Sequence, residues 1–500
     1  MDLYTMLDRW AAQFPDRCAL SFHGRLWTFR EFKLSVDRIT KKLSQRGVTV
    51  GDIVAYWSKN DPTFFFVAFA CAKLGASFAP LNFRLSAIEA DAILAEIGAV
   101  GLVAETGLAE SIRNPSTPGR WWCLTVDDAN AVASQKSNDE AKDEIEPDLH
   151  RPALMLFTSG TTGRPRGVQL THANLWHSML NVIIGGDFRR DDVILQMAPL
   201  SAVATWPWAL ATWIKGGEIA LLQAVSATDF LRVVPERKVT SFAPVVALLV
   251  AVAASPEFET ADLSSMRWIV PGGAVMSDQL RDKWVSKGVE IRLAYGMTET
   301  TGMAAFLAPE YAASKPGAAG FPLMLTEIRV VDPAGRVLEQ GQGGEVWLRG
   351  PNITEVIWIE GVRTPARDSD GWFHTGDVGR FDEDGVLFII DRLKDMIKSG
   401  GENVYSAEVE RVLLSHPGVS EVAIIGAPDE KWGETVVACV VPVSDFDLTL
   451  EEMRVFGAQY IARYKLPTRL VLFDEFQKSS SGKVQKTMLR AYVAAMGVTT

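Results

Sequence analysis

Cysteine and histidine are scarce in this chain. Of its 500 residues four are cysteine and six are histidine, too few and too scattered to build a framework. Cys18, Cys71, Cys123 and Cys439 lie far apart with no C-x-x-C pair, which argues against a disulfide scaffold and predicts buried thiols in a reducing compartment. The histidines form no H-E-x-x-H or similar spacing, so a structural zinc is not expected. Long apolar runs are missing too. Phe64 to Ala72 and Phe242 to Ala254 fall well short of the ~20 residues of a membrane span and are expected to be buried helices, with no membrane insertion. The opening segment Met1–Asp8 places acids where a secretory signal needs a basic and then an apolar region, so a cytoplasmic protein is expected. Positive charge is in deficit as well. The net charge of −11 argues against a broad nucleic-acid or anionic-membrane surface, and any anion site must be local and its ligand small. A homodimer is compatible with this composition.

What is present suits a globular protein of about two to four domains, since 48% of residues are hydrophobic, enough for large cores. From Trp27 to Leu81, an amphipathic stretch (Phe29 to Gly47), a strand-like run (Ile53 to Trp57) and a second helical stretch (Asp61 to Leu74) alternate, as in doubly wound α/β layers. Asp127 to Asp148 reads as a polar, exposed connection. Beyond residue 310, short strands at Thr326–Val331, Gly344–Arg349, Gly371–Phe373 and Val386–Ile390 predict a β-rich subdomain. After Asp391-Arg392-Leu393-Lys394-Asp395 the pattern changes to an α+β unit: helix Ala407–Leu414, strands Val419–Ile425 and Thr435–Val441, helix Leu450–Ala462 and strand Arg469–Phe473. The chain is therefore expected to divide into a large N-terminal α/β domain, 1–391, and a small mobile α+β C-terminal domain, 392–500.

The most telling segment is Thr158-Ser159-Gly160-Thr161-Thr162-Gly163-Arg164-Pro165-Arg166-Gly167. Its glycines let backbone turn tightly and approach a ligand, while hydroxyls and guanidinium groups supply donors for an anion. It is flanked by strand-like Ala153–Phe157 and Val168–Leu170 and is not a Walker A loop, so it reads as a phosphate-holding loop of another kind.

Four further motifs follow in order: Tyr295-Gly296-Met297-Thr298-Glu299; Gly371-Trp372-Phe373-His374-Thr375-Gly376-Asp377; Asp391-Arg392-Leu393-Lys394-Asp395 with Gly400-Gly401-Glu402-Asn403; and Ser481-Gly482-Lys483. With the first loop, the chain resembles the adenylate-forming superfamily, most closely its AMP-dependent acyl-CoA synthetases, from about residue 20 to 490. The resemblance implies two half-reactions in a cleft between the domains: a carboxylate attacks the α-phosphate of ATP to give acyl-AMP and pyrophosphate, and the thiol of CoA then displaces AMP.

The same resemblance implies residue roles. Thr158 to Gly163 with Arg166 would grip the β- and γ-phosphates. Glu299 would ligate Mg2+, the expected metal, and Thr298 would donate to the α-phosphate. Asp377 would accept from the ribose hydroxyls and Arg392 would meet the ribose and phosphate side. Gly273, Ala274, Tyr295 and Gly296 would hold adenine, and Lys483 would bridge the attacking carboxylate and the α-phosphate during adenylation. Lys394 matches the hinge about which the small domain turns. Ser399, Gly400 and Gly401 would line the thiol tunnel, with Trp432, Tyr464 and Lys465 on the nucleotide of CoA. Ala202, Trp206, Trp208, Val246, Gly272, Met297 and Met303 are the expected acyl-pocket residues. The chain ends soon after Lys483 with no carrier domain, which favours CoA over a tethered thiol.

Three departures from the family pattern stand out. Arg166 replaces the usual lysine of Pro-Lys-Gly; Pro199-Leu200-Ser201-Ala202 lacks the usual Phe-His; and Gln477 stands where a proline is usual. Replacing Phe and His by Ser and Ala frees volume beside Trp206, Trp208 and Trp213, which points to a bulky apolar acid, cyclic or aromatic. Arg166 motivates an alternative, a thioesterification-only ligase using preformed acyl-AMP. A non-catalytic nucleotide-binding protein is a lesser alternative, disfavoured by the presence of Lys483, Asp377 and Glu299.

Overall fold

The computed structural model describes residues 2–112, 120–135, 146–159, 165–272, 276–312, 314–444, 446–478 and 484–496. Its large N-terminal part is built on two mainly parallel sheets with helices between and outside them. One sheet runs in the order Glu290–Ile291, Trp268–Ile269, Ser241–Phe242, Val193–Gln196, Glu218–Leu221, Cys18–Phe22, Arg25–Thr28. The other runs Val362–Pro365, Val356–Ile359, Pro165–Thr171, Pro152–Ser159, Ser77–Leu81, Ile53–Trp57, Gly101–Ala104, Trp122–Thr125.

Alternation along the strands sets the layers. Val54 and Tyr56 face a central core while Ala55 and Trp57 face an outer one with Ile93, Leu94 and Ile97. On the first sheet Ile194, Trp268 and Val270 face the same central core, and Leu195, Phe242, Ile269 and Ile291 face outward onto Leu249, Phe230 and Trp284. Side chains of period two thus serve two cores from one strand. Thr63–Lys73, buried on every side, lies in the central layer, as an all-round apolar helix must. Phe29–Gln45 starts where Thr28 and Glu31 form a reciprocal capping box, which satisfies two of the free N–H groups at a helix start.

A four-stranded antiparallel sheet follows, Glu327–Val331, Gly344–Arg349, Phe373–Phe381 and Leu387–Arg392. The small C-terminal part is organised around the hairpin Val419–Asp429 and Gly433–Pro442, joined by Ile397–Ser399, Glu402–Val404 and Arg469–Leu472. Leu413 of the helix Ser406–Leu414 covers one face of this sheet and Leu489 of Lys486–Ala495 the other. The architecture is the expected large α/β part, β-rich subdomain and small α+β part.

Several local expectations need correction. Asp127–Asp148 is not all connection, because Val126–Ala133 is a helix capped by Thr125 and Asp128; its acids serve the positive end of a helix rather than a loop. Phe242 to Ala254 is a strand end, a Pro244 break and the helix Val246–Ala253, with Val250 exposed. The helix from Leu450 stops at Gly457, and the strand expected at Gly371–Phe373 begins only at Phe373. Cys71 and Cys439 are buried, but Cys18 and Cys123 are only partly so. Among the described residues no helix is long and apolar enough to cross a membrane.

Candidate active site

Asp377 and Arg392 are paired directly across two antiparallel strands, which brings Arg392 Nε to 2.9 Å from Asp377 Oδ1. Tyr295, closing the short strand Leu293–Tyr295, donates its hydroxyl to Asp377 Oδ2 at 2.7 Å. Burial, and then the Asp377 charge, hold the Tyr295 hydroxyl well above its ordinary range, so it stays a neutral donor. Asp377 is itself buried. A buried carboxylate held by a cation and a phenol is fixed in place.

Tyr295 leads into a tight turn. Gly296 packs so closely on the Gly302 carbonyl that a Cβ there has no room, and Thr301 and Gly302 take positive φ of 55° and 104°. The turn holds Glu299, whose carbonyl accepts from Thr354 N at 2.8 Å. Burial pushes the Glu299 carboxyl above the usual carboxylate range, opposed by Arg392 and Arg166 and reinforced by Asp377. Those four charged groups therefore share one neighbourhood. Thr298 and Met297 lie in the same turn, half-buried.

Three asparagines that sequence reasoning passed over support this region, Asn352 the turn itself and Asn174 and Asn181 the segments beside it. Asn352 Nδ2 donates to Thr300 O at 3.2 Å and Met303 O at 3.0 Å. Asn174 Nδ2 donates to Pro351 O at 2.9 Å and Ile353 O at 3.0 Å, and Asn181 Oδ1 accepts from Leu325 N at 2.8 Å. Buried amides satisfy irregular backbone that no ladder can reach. The available signal was Asn174 and Asn181 spaced by seven on the helix His172–Gly185, and so on one face of it.

Thr158 and Arg166 are cross-strand partners at the mouth of the loop between Pro152–Ser159 and Pro165–Thr171. Gly160, Thr161, Thr162 and Gly163 lie outside the described residues, as do Gly273, Ala274 and Lys483. The flanks are described: Gly272 N donates to Pro244 O at 2.8 Å, and a bridge between Lys478 and Val484 closes the stem that leads to Lys483. Gln477 contributes to that stem its carbonyl, which accepts from Gln485 N at 3.0 Å. A proline would offer the same acceptor.

At the junction between the parts, Asp391 accepts from Ser406 Oγ at 2.9 Å and Ala407 N at 3.3 Å, so it is tied to the small part. Arg392, the next residue, is tied to Asp377 of the β-rich sheet. Lys394 is exposed, and Arg490 of the last helix donates to Asp395 Oδ1 at 2.7 Å. Ser399, Gly400 and Gly401 form a hairpin turn with φ of 61° and 87° at the two glycines. Gly400 N donates to Trp432 O at 2.8 Å, and a Cβ at Gly400 would stand 2.8 Å from the Trp432 ring. Trp432 and Tyr464 are exposed, Lys431 lies 4.6 Å from the Trp432 centroid, and Lys465 is paired with Glu408 at 2.7 Å.

The expected acyl-pocket residues are not gathered on one wall. Trp206 is fully buried against Phe64, Phe65 and Phe78. Trp208 packs on Phe188 and Trp268, Val246 belongs to the outer core, Met303 is buried, and Ala202 and Gly272 are exposed.

Comparison with known proteins identifies the family. Residues 7–358 match the family model "AMP-binding enzyme" and residues 408–483 "AMP-binding enzyme C-terminal domain". A feruloyl-CoA synthase of Amycolatopsis sp. is 36% identical over 96% of this chain and 97% of its own. An indoleacetate–CoA ligase of Aromatoleum aromaticum is 34% identical over 99% and 98%. The structure of o-succinylbenzoate CoA synthetase from Bacillus subtilis with its acyl-adenylate OSB-AMP superposes with a TM-score of 0.86 at 30% identity, covering 97% of each chain. The same enzyme with ATP and a magnesium ion gives 0.85 at 29% identity, covering 98% of this chain and 99% of that one. The chain belongs to the AMP-binding enzymes of the adenylate-forming superfamily, and within them it is an acid–thiol ligase.

Proposed function

We propose that the protein activates a bulky cyclic or aromatic carboxylic acid with ATP and transfers the acyl group to CoA. The observation that carries this reading is the Tyr295–Asp377–Arg392 cluster with Glu299 and Arg166 in its field. Asp377 receives the ribose hydroxyls, Arg392 faces the phosphate side, and Thr298 donates to the α-phosphate. Gly273, Ala274, Tyr295 and Gly296 hold the adenine. Lys483 neutralises charge passing between the acid's carboxylate and the α-phosphate as the acyl–O–phosphorus bond forms and pyrophosphate departs.

Magnesium fits the donor set. It commonly takes one or two carboxylates with substrate phosphates and water, so the single Glu299 suffices, and when bound it offsets phosphate charge. The thiol half-reaction uses the Ser399–Gly401 turn, with Trp432, Tyr464 and Lys465 at the CoA nucleotide. Lys394 is the hinge and the boundary falls between 391 and 392. Relatives named for feruloyl and indoleacetate substrates support an aromatic acid. Arg166 in place of lysine keeps a second reading in play, thioesterification of preformed acyl-AMP only. Pyrophosphate release from aromatic acids with ATP, compared with acyl-CoA formation from synthetic acyl-AMP, separates the two. Best turnover with acetate or propionate would refute the substrate reading.

A further inference from the structure

Among the described residues, four buried side-chain polar atoms have no hydrogen-bond partner: Trp122 Nε1, Trp206 Nε1, Ser241 Oγ and Trp268 Nε1. Native proteins seldom leave such groups unmet. Two of the four are neighbours. Ser241 and Trp268 are paired directly in parallel register, so their side chains leave the sheet on one face. It is the inner face, where Ala243 and Val270 follow two residues on.

The same two strands run on to Gly272. Val245 and Gly272, the latter an expected acyl-pocket residue, are bridged at their far ends. Trp268 lies four residues before Gly272, which at roughly 3.3 Å per residue is about 13 Å. The surroundings are aromatic and charged. Trp208 lies 5.4 Å from Trp268 and Phe188 5.7 Å, centroid to centroid. The Arg292 guanidinium stands 5.1 Å over the Trp268 ring and is held by Glu290 at 2.9 Å.

An indole N–H can only donate, and a serine hydroxyl donates as readily as it accepts. Two unmatched donors on one face of paired strands, in aromatic surroundings, suit an acceptor oxygen. We propose that Ser241 Oγ and Trp268 Nε1 form the distal end of the acyl site and select an acid carrying an acceptor oxygen on its ring, at the end away from the carboxylate. The oxygen is a phenolic hydroxyl, an ether or a carbonyl. The inference rests on the ligase reading above and names its substrate class. Entry requires the Trp208 and Phe188 rings, stacked at 5.7 Å, to part, a side-chain movement of the kind common on binding.

The test uses two aryl acids that differ only in a distal hydroxyl, with wild type, Ser241→Ala and Trp268→Phe. Binding of each acid to the free enzyme is followed by calorimetry, so that the result does not depend on turnover. Wild type is expected to favour the hydroxylated acid about tenfold or more, with each variant losing most of that preference. Ser241→Ala is also expected to melt no lower than wild type, since it removes a hydroxyl without a partner. The inference is overturned by an unchanged preference in Ser241→Ala, by equal weakening of both acids, or by a clearly lower melting temperature for that variant. Acyl-CoA formation with ATP, measured in parallel, tests the ligase reading separately: failure there with the binding preference intact removes the reaction and leaves the recognition.

Discussion

Glu299 is the residue in which charge, burial and proposed role meet. Its carboxyl is raised chiefly by burial, so the folded protein holds that proton more tightly than the unfolded chain does. A raised acid weakens the fold as pH rises past its unfolded value, where the unfolded chain ionises freely. Glu299→Gln is therefore expected to melt higher than wild type at pH 8, with the gap narrowing toward pH 5. The same variant is expected to lose adenylation by about 100-fold or more, as removal of a phosphate-side charge usually does. A melting temperature that falls at pH 8 would show that the carboxylate is well satisfied and needs no cation. Arg166 belongs to the same field. Its identity was plain in the sequence, but its position at the end of a strand, opposite Thr158 and within reach of Glu299, was not. That placement depends on strand register, which a single sequence specifies weakly.

Two elements make the account testable at a larger scale. The N-terminal helix Leu3–Gln13 docks through Leu3 N, which donates to Nδ1 of the buried His172 at 3.4 Å. Burial, with Arg151 and the chain's amino terminus adding to it, lowers the His172 ring from its ordinary 6.5 to about 4, against the pull of Asp2 and Asp148. The folded protein keeps the ring neutral while the unfolded chain protonates it, so stability present above pH 6.5 is lost as pH falls toward 4. An acid titration of melting temperature should show a drop in that window, reduced in His172→Gln; an identical drop in the variant would assign it elsewhere. The junction element is Asp391–Asp395. Asp391 reaches the small part and Arg392 the large one, and the proposed hinge at Lys394 lies just beyond them. Lys394→Pro is expected to spare pyrophosphate release and suppress thioester formation, and equal loss of both would sink the hinge. Most elements were legible where hydrophobic period was long and regular, as in Phe29–Gln45 and Ile53–Trp57. The hairpin Val356–Ile359 and Val362–Pro365 was not. Its turn is Glu360-Gly361 with φ of 50° and 76°, and glutamate is a poor advertisement for the left-handed conformation that such turns need.

At the scale of the molecule, the two sheets share one core, and the Tyr295–Asp377–Arg392 cluster lies in the β-rich part that follows them. The motif residues could be read in the sequence because their chemistry depends on residue type. Their support could not: Asn174, Asn181 and Asn352 act by filling irregular backbone, and the Ser241–Trp268 pair is visible only once two strands are in register. The central claim is that this fold makes acyl-AMP and passes the acyl group to CoA. The most direct measurement incubates the enzyme with an aromatic acid, ATP and magnesium, with and without CoA, following pyrophosphate and acyl-CoA together. The account predicts pyrophosphate release limited to about one turnover without CoA, then sustained release with equal acyl-CoA when CoA is added. No pyrophosphate from any acid, with acyl-CoA formed only from synthetic acyl-AMP, would contradict it.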